Sequence, residues 1–254
     1  MKLWQAFDPL YRRWQEVRRP RANEYHGVDA DGFYFVIDEE NQKPVFVSHP
    51  RRLPYYKNGV QARISNLARE YCVSELELVP GDQIVDVGAH SGEFGMWAGR
   101  FGVRYLAIEP DPMAFEALRR NLPGANLENL AVGAEQGVSR FSLATSTGDS
   151  SLGSAGNSVI DVAVERLDTV VQRVFPLGRI AVLKIEAEGF EPEVLQGAGE
   201  TLGRTDIVTV DAGEEREGRS TAPECVNLLL HSGFQLRDVY LRRGIFLFEP
   251  AKSS

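Results

Sequence analysis

From Asp82 onward the chain alternates between short apolar runs and stretches whose apolar residues recur at helical spacing. That alternation marks parallel strands joined by crossover helices. It predicts strands at Ile84 to Val87, Tyr105 to Ile108, Leu127 to Val132, Ile180 to Ile185 and Ile207 to Val210. Between them Asp111 and Pro112 open a helix that ends near Gly124 and turns Ala114, Ala117, Leu118 and Leu122 inward. A second helix starts at Glu191 and Pro192, and a third opens on the capping box Thr221 to Glu224 and stops at Gly233. Leu236 to Leu241 and Ile245 to Phe248, joined at Arg242, Arg243 and Gly244, read as a closing antiparallel pair. The expected class is α/β, doubly wound and mostly parallel.

Other stretches break this rhythm. Residues 3 to 17 place Trp4, Phe7, Leu10, Tyr11, Trp14 and Val17 on one helical face, ahead of Arg18, Arg19 and Arg21. Such a helix docks on its own chain, on a membrane surface or on a partner subunit, a second copy included. Phe33 to Ile37 and Pro44 to Ser48 predict a β-hairpin that caps the main sheet. RRLPYYKN, from Arg51 to Asn58, reads as an irregular loop before a helix with Val60, Ile64, Leu67 and Tyr71 on one face. The expected division is an extension over 1–58 and a main domain over 59–254. Residues 138 to 164 read as a strand, a Ser/Thr/Gly loop and the strand Val159 to Val164, an excursion at the sheet's edge.

Composition narrows the function classes. Hydrophobic residues make up 43% of the 254 and charged ones 25%, as in ordinary globular proteins. A net charge of −8 disfavours a nucleic-acid partner. No apolar run nears the roughly 20 residues of a membrane span, and the N-terminal stretch lacks a signal peptide's apolar block. Cys72 and Cys225 lie far apart and read as free thiols, so a cytoplasmic protein is expected.

The chemistry concentrates in QIVDVGAHSGEFGMWAGRFGVRYLAIEP, from Gln83 to Pro110. It reads as strand, glycine turn, helix and second strand ending on Glu109, where an acidic residue hydrogen-bonds a ribose diol in nucleotide-binding units. A dinucleotide fingerprint needs Gly-x-Gly-x-x-Gly, whereas here Gly88, Gly92 and Gly95 are spread around Ala89 and His90. Asp86 beside the turn would repel a phosphate and favour a cationic ligand. S-adenosylmethionine fits that balance better than NAD or FAD, and an α/β fold without such a ligand stays open.

Taken in order, GDQIVDVGAHSGEFG, AIEPDP, LENLAVG, ERLDTVV and LKIEAEGFEPEVLQGA make the chain from Tyr56 onward resemble the FkbM-type S-adenosylmethionine-dependent methyltransferases. The resemblance implies a seven-stranded Rossmann-like methyltransferase sheet, S-adenosylmethionine as cofactor and O-methylation as the reaction. It also implies Asp86, Gly88, Ala89, His90 and Gly92 as the methionine-end cradle, Glu109 and Pro110 at the ribose, and Ala131 in the adenine wall. His90 stands where that family commonly has Asn, and Glu186 where it usually has Asp.

The fourth predicted strand delivers Glu186 and Glu188 to the carboxyl edge of the sheet, where ligands bind in such folds. Glu186 is the first candidate for a base or acceptor-positioning group and Glu188 the second, with Lys184 as a charge partner and Asp211 on the same edge. These acids, with Glu214 and Glu215, lack compact metal-ligand spacing, and no metal is expected. Arg51, Arg52, Tyr55, Tyr56, Lys57, Asp149 and Ser151 form the expected substrate rim. The leading expectation is O-methylation of a small acceptor, possibly sugar-bearing. A catalytically silent binding module and an NAD-dependent oxidoreductase are the alternatives.

Overall fold

The structure, a computed structural model, describes residues 26–143, 151–152 and 158–252. The N-terminal helix expected over residues 3 to 17, and most of the Ser/Gly loop with Asp149, lie outside the described residues.

The first sheet holds three antiparallel strands, β1 (His26–Val28), β2 (Tyr34–Ile37) and β3 (Pro44–Val47). The main sheet comprises β4 (Gln83–Val87), β5 (Arg104–Ile108), β6 (Asn126–Glu128), β11 (Ile180–Ile185), β12 (Thr205–Asp211), β13 (Phe234–Tyr240) and β14 (Ile245–Pro250). A further sheet is built from β7 (Ala131–Gly133), β8 (Gly137–Leu143), β9 (Ser151–Leu152) and β10 (Ser158–Arg166). The seven main strands lie in the order β13-β14-β12-β11-β4-β5-β6, and β14 alone runs against the rest. The chain therefore has the doubly wound, mostly parallel α/β sheet.

Each sheet face has its own core, as period-2 alternation requires. Val85, Val87, Leu106, Ile108, Leu183, Ile185, Val208 and Val210 pack with the helices Leu167–Val174, Glu191–Gln196 and Ala222–His231. Ile84, Tyr105, Ala107, Val182 and Ile207 pack on the opposite face with Ile64, Leu67 and Tyr71 of the Val60–Glu70 helix and its cap, and with Phe94 and Trp97. The register places Asp86 beside Lys184 and Ala107, and Lys184 beside Thr209, a polar row within the second face.

Four expectations about architecture are corrected. The apolar run Leu127 to Val132 is not one strand: β6 ends the main sheet and β7 joins the next one. The break falls at Asn129, whose amide turns back to donate to the Glu109 and Pro110 carbonyls (2.8 and 3.3 Å). Residues 138 to 164 are accordingly not an excursion of the main sheet's edge, because β8 and β10 pair with each other and β10 pairs in parallel with β7. The hairpin does not cap the main sheet either. It rests on the helix Pro112–Asn121, where the Asn121 side-chain amide mimics a strand neighbour to Phe46 N and O (both 2.8 Å) and Arg120 covers the rings of Phe33 and Phe46. RRLPYYKN, expected as irregular, forms a 3-10 helix over Pro50–Tyr56.

Gly197 closes the Glu191–Gln196 helix against the β7 sheet. A β-carbon there would overlap the Gly133 carbonyl oxygen, a backbone atom that cannot swing aside, whereas one on Gly199 meets nothing within 4 Å. Gly197→Ala is expected to lower the unfolding free energy by at least about 2 kcal/mol. Gly199→Ala should leave it within about 1 kcal/mol of the parent. Urea unfolding measures both, and equal midpoints would contradict a tight seam at Gly197.

Candidate active site

The turn after β4 is held in left-handed backbone at Gly88 (φ 72°), His90 (φ 49°) and Gly92 (φ 88°). At Gly88 only glycine fits, since a β-carbon would overlap the carbonyl oxygen of Glu186. His90 is one of the residue types that, like Asn, adopt this backbone more readily than most. Gly88 and Ala89 donate their N–H groups to Ile108 O (2.9 and 3.1 Å), pulling the turn onto the end of β5. There Glu109 accepts from His90 N and Asp111 N, each at 2.8 Å. Burial nonetheless pushes its carboxyl up to about 8. The His90 ring lies between the Ser48 and Ser91 hydroxyls (3.1 and 2.9 Å), and burial together with Arg52 brings its pKa down to about 4.

These elements border a cleft enclosing about 720 Å³, part of it open to solvent. Gly88, His90, Glu109, Pro110 and Asp111 form one side; Leu130, Ala131, Val132 and Phe141 form an apolar wall; Arg52, Glu186 and Glu188 close the third. Ala89 and Gly92 shape the turn from behind, Ala89 being buried. The loop carrying Glu186 and Glu188 passes through left-handed backbone at Glu188 and Gly189. It is fastened by Glu191, whose carboxylate accepts from Ala187 N and Gly189 N (2.9 Å each) and from the Thr221 hydroxyl (2.7 Å).

Beneath the turn lies a buried charge cluster. Lys184 Nζ stands 2.9 Å from Asp86 Oδ1 and 3.2 Å from Glu186 Oε2, and donates to the Gly88 carbonyl at 2.8 Å. Burial alone would lower the ammonium's pKa, but Asp86 and Glu186 outweigh it and hold it above its ordinary value. Tyr105 donates to the other Asp86 oxygen. Glu186 also accepts from the Tyr71 hydroxyl (2.5 Å) and from Arg243 (2.7 Å). Against the burial that would raise it, Lys184, Arg243 and the Tyr71 hydrogen bond keep its carboxyl below the usual range, so it is ionised. Arg243 further bridges Asp211 Oδ2 (2.6 Å) and Glu70 (3.1 Å). Asp211 is buried and its Oδ1 has no hydrogen-bond partner among the described residues. Burial, then Glu186, pushes its pKa up to about 7.

Several expected site residues thus stand elsewhere. Asp86 does not border the cleft: it faces the polar row on the opposite side of the turn, with an ammonium against it that cancels the repulsive charge read into the motif. Asp211 stands behind Arg243. Tyr56 is not on a rim; it is buried, with its hydroxyl donating to Glu93 (3.0 Å). Arg63, Arg52 and His90 overcome burial to hold that carboxylate at about 2. Tyr55 and Lys57 lie outside the cleft, in an adjoining groove. Ser151 begins the short strand β9. Tyr71, Glu191 and Arg243 carried no signal of this role: each reads in sequence as a helix face, a helix start or a turn. Among the described residues no three His, Cys, Asp or Glu side chains converge as metal ligands, and no helix is long and apolar enough to cross a membrane.

Residues 86–236 match the family model of the methyltransferase FkbM domain. Methyltransferase sdnD of Sordaria araneosa is 26% identical over 229 residues, spanning 73% of this chain and 87% of that protein. Among solved structures, the fibrillarin pre-rRNA processing protein of Methanococcus jannaschii aligns with 93% of this chain and 97% of its own at 11% identity and a TM-score of 0.47. Magnesium protoporphyrin IX methyltransferase of Synechocystis PCC 6803, solved with bound S-adenosylmethionine, aligns with 81% of this chain and 85% of its own at 8% identity and a TM-score of 0.46. Because the family match takes in more than half of its residues, the chain belongs to the FkbM methyltransferases, and S-adenosylmethionine is its methyl donor.

Proposed function

We propose that the protein methylates a hydroxyl oxygen of a small acceptor: a sugar, a glycosylated metabolite or another small natural product. The observation that carries this reading is Glu186, an ionised carboxylate on the cleft wall braced by Tyr71, Lys184 and Arg243. The cleft suits the donor, since among the described residues its lining includes the acids Asp111, Glu186 and Glu188, with Glu109 able to ionise as a fourth when the donor binds, against one guanidinium, Arg52. A ligand with a sulfonium and an ammonium matches that balance, and a pyrophosphate does not. In this reading Gly88, Ala89, His90 and Gly92 cradle the methionine end, Glu109 takes the ribose diol, and Pro110, Ala131 and Phe141 flank the adenine. Asp86 acts through Lys184, holding the ammonium that fixes the turn.

S-adenosylmethionine supplies a sulfonium methyl: the acceptor's oxygen–carbon bond forms as the carbon–sulfur bond breaks, sulfur keeps the electron pair and the hydroxyl proton departs. Glu186 accepts the hydrogen bond of that hydroxyl and aligns its lone pair. A low-pKa carboxylate is a poor base toward a resting alcohol. The alcohol's acidity climbs steeply as its oxygen gains the methyl, so an aligned carboxylate can take the proton late in the transfer. Glu188 borders the same wall as a second acceptor for that proton.

Two measurements bear on this assignment. Glu109 sits at about 8 in the free protein, and ribose hydroxyls donate to its ionised form, so binding below that pH releases a proton. Affinity for S-adenosylmethionine is therefore expected to rise between about pH 6 and 8, by up to about tenfold per unit, and then to level off. Glu109→Gln reports the donor's own titration, and superimposable profiles would remove Glu109 from the ribose. Separately, Glu186→Gln is expected to lower kcat by about 10²-fold while donor affinity by calorimetry stays within about threefold. Full activity of that variant would contradict alignment by Glu186. Donor binding by the parent protein without transfer to any of a broad panel of hydroxylated acceptors would favour a non-catalytic module.

A further inference from the structure

A groove adjoins the cleft on the far side of Glu186. Its walls are the segment Pro54 to Asn58, the helix Val60–Glu70 and the turn between β13 and β14. Four of its lining side chains are cationic, Lys57, Arg63, Arg242 and Arg243, against the single carboxylate of Glu70, in a chain whose net charge is −8. Glu70 is already paired with Arg243 at 3.1 Å. Lys57 and Arg242 are exposed, and neither side chain has a hydrogen-bond or ion-pair partner among the described residues. Tyr55, 51% exposed, supplies an apolar face with the Arg63 guanidinium 5.1 Å from its ring.

Cleft and groove share a partition. Arg243 lines the groove and stands 2.7 Å from Glu186, which lines the cleft. Arg52 lines the cleft and lies 5.1 Å from the ring of Tyr55, which lines the groove. A molecule seated in the groove therefore lies against Arg243, the ion-pair partner of the carboxylate assigned above to aligning the hydroxyl.

Resting on that reading, we propose that the groove is the acceptor site and that it selects acceptors bearing an anionic group, a carboxylate or a phosphate ester, beside the hydroxyl to be methylated. Like charges brought together in one groove repel until an anion stands between them, and guanidinium forks match the two oxygens of either group. Arg243 is committed to Glu186, Asp211 and Glu70, and Arg63 to Glu93 at 3.8 Å, which leaves Lys57 and Arg242 to hold the anion. The body of the acceptor then lies over Tyr55, and its hydroxyl reaches the partition at Glu186.

The test uses the full chain, methyl-labelled S-adenosylmethionine and a metabolite extract of the source cells split on an anion exchanger. Label is expected in a product from the retained fraction. Phosphatase treatment beforehand tells the two anions apart: loss of the product identifies a phosphate ester, and survival a carboxylate. A labelled product from the unretained, neutral fraction would overturn the anionic class while leaving hydroxyl methylation standing. No labelled product from any fraction would remove hydroxyl methylation and the groove's role with it. With the retained acceptor in hand, the double variant Lys57→Ala, Arg242→Ala is expected to raise its KM by at least about tenfold with donor affinity unchanged. An unchanged KM would overturn the site.

Discussion

The ammonium of Lys184 is the constraint around which the site is built. It sits at the centre of a parallel sheet, 2% exposed, where a charge is tolerated only if it is paired and hydrogen-bonded. Strand register supplies the pairing, because β11 and β4 set Lys184 directly beside Asp86, while the end of the same strand returns Glu186 to within 3.2 Å. It also donates to the carbonyls of Gly88 and Val87 (2.8 and 3.4 Å), so one charge ties the glycine turn to the loop after β11. The glycine turn that borders the cleft and the carboxylate of Glu186 are fixed by the same buried cation.

Much of this was legible in sequence where the signal is local. Apolar periodicity marks the strands, and the glycine turn followed by Glu109 marks one side of the cleft, because backbone geometry and side-chain alternation act over a few residues. The run LENLAVG misled for the same reason: it is apolar on both sides of Asn129, and nothing within it shows that its halves enter different sheets. Arg243 was invisible as a site residue because its partners Glu186 and Asp211 lie 57 and 32 positions away, and only the order of strands brings a hairpin turn to that edge. Tyr56, chosen as a rim residue for its chemistry, is turned inward by the 3-10 helix to meet Glu93.

Residue type was also a poor guide to protonation. Glu186, part-buried, and the buried Glu93 and Glu109 are all acids near the glycine turn, yet the first two are held low by neighbouring cations and the last is raised by burial that two backbone donors do not offset. Asp211 is raised although Arg243 touches it, because burial and then the neighbouring Glu186 charge outweigh that guanidinium. The donor set around each carboxylate, and not its place in a motif, determines which can orient a hydroxyl and which can exchange a proton near neutrality.

The glutamate at position 186 is best understood through its reach. Its Oε2 meets both Lys184 and Tyr71 and its Oε1 meets Arg243, so one carboxylate spans the sheet's polar row, the cap of the Val60–Glu70 helix and the β13–β14 turn. An aspartate would draw the oxygens back by about one carbon–carbon bond, ~1.5 Å, too far to keep contacts at hydrogen-bond length on three separate elements. The extra methylene thus exchanges proximity to the strand for a role as keystone between the donor cleft and the basic groove. A carboxylate so held changes neither charge nor position easily, and this is the property that alignment of an acceptor demands.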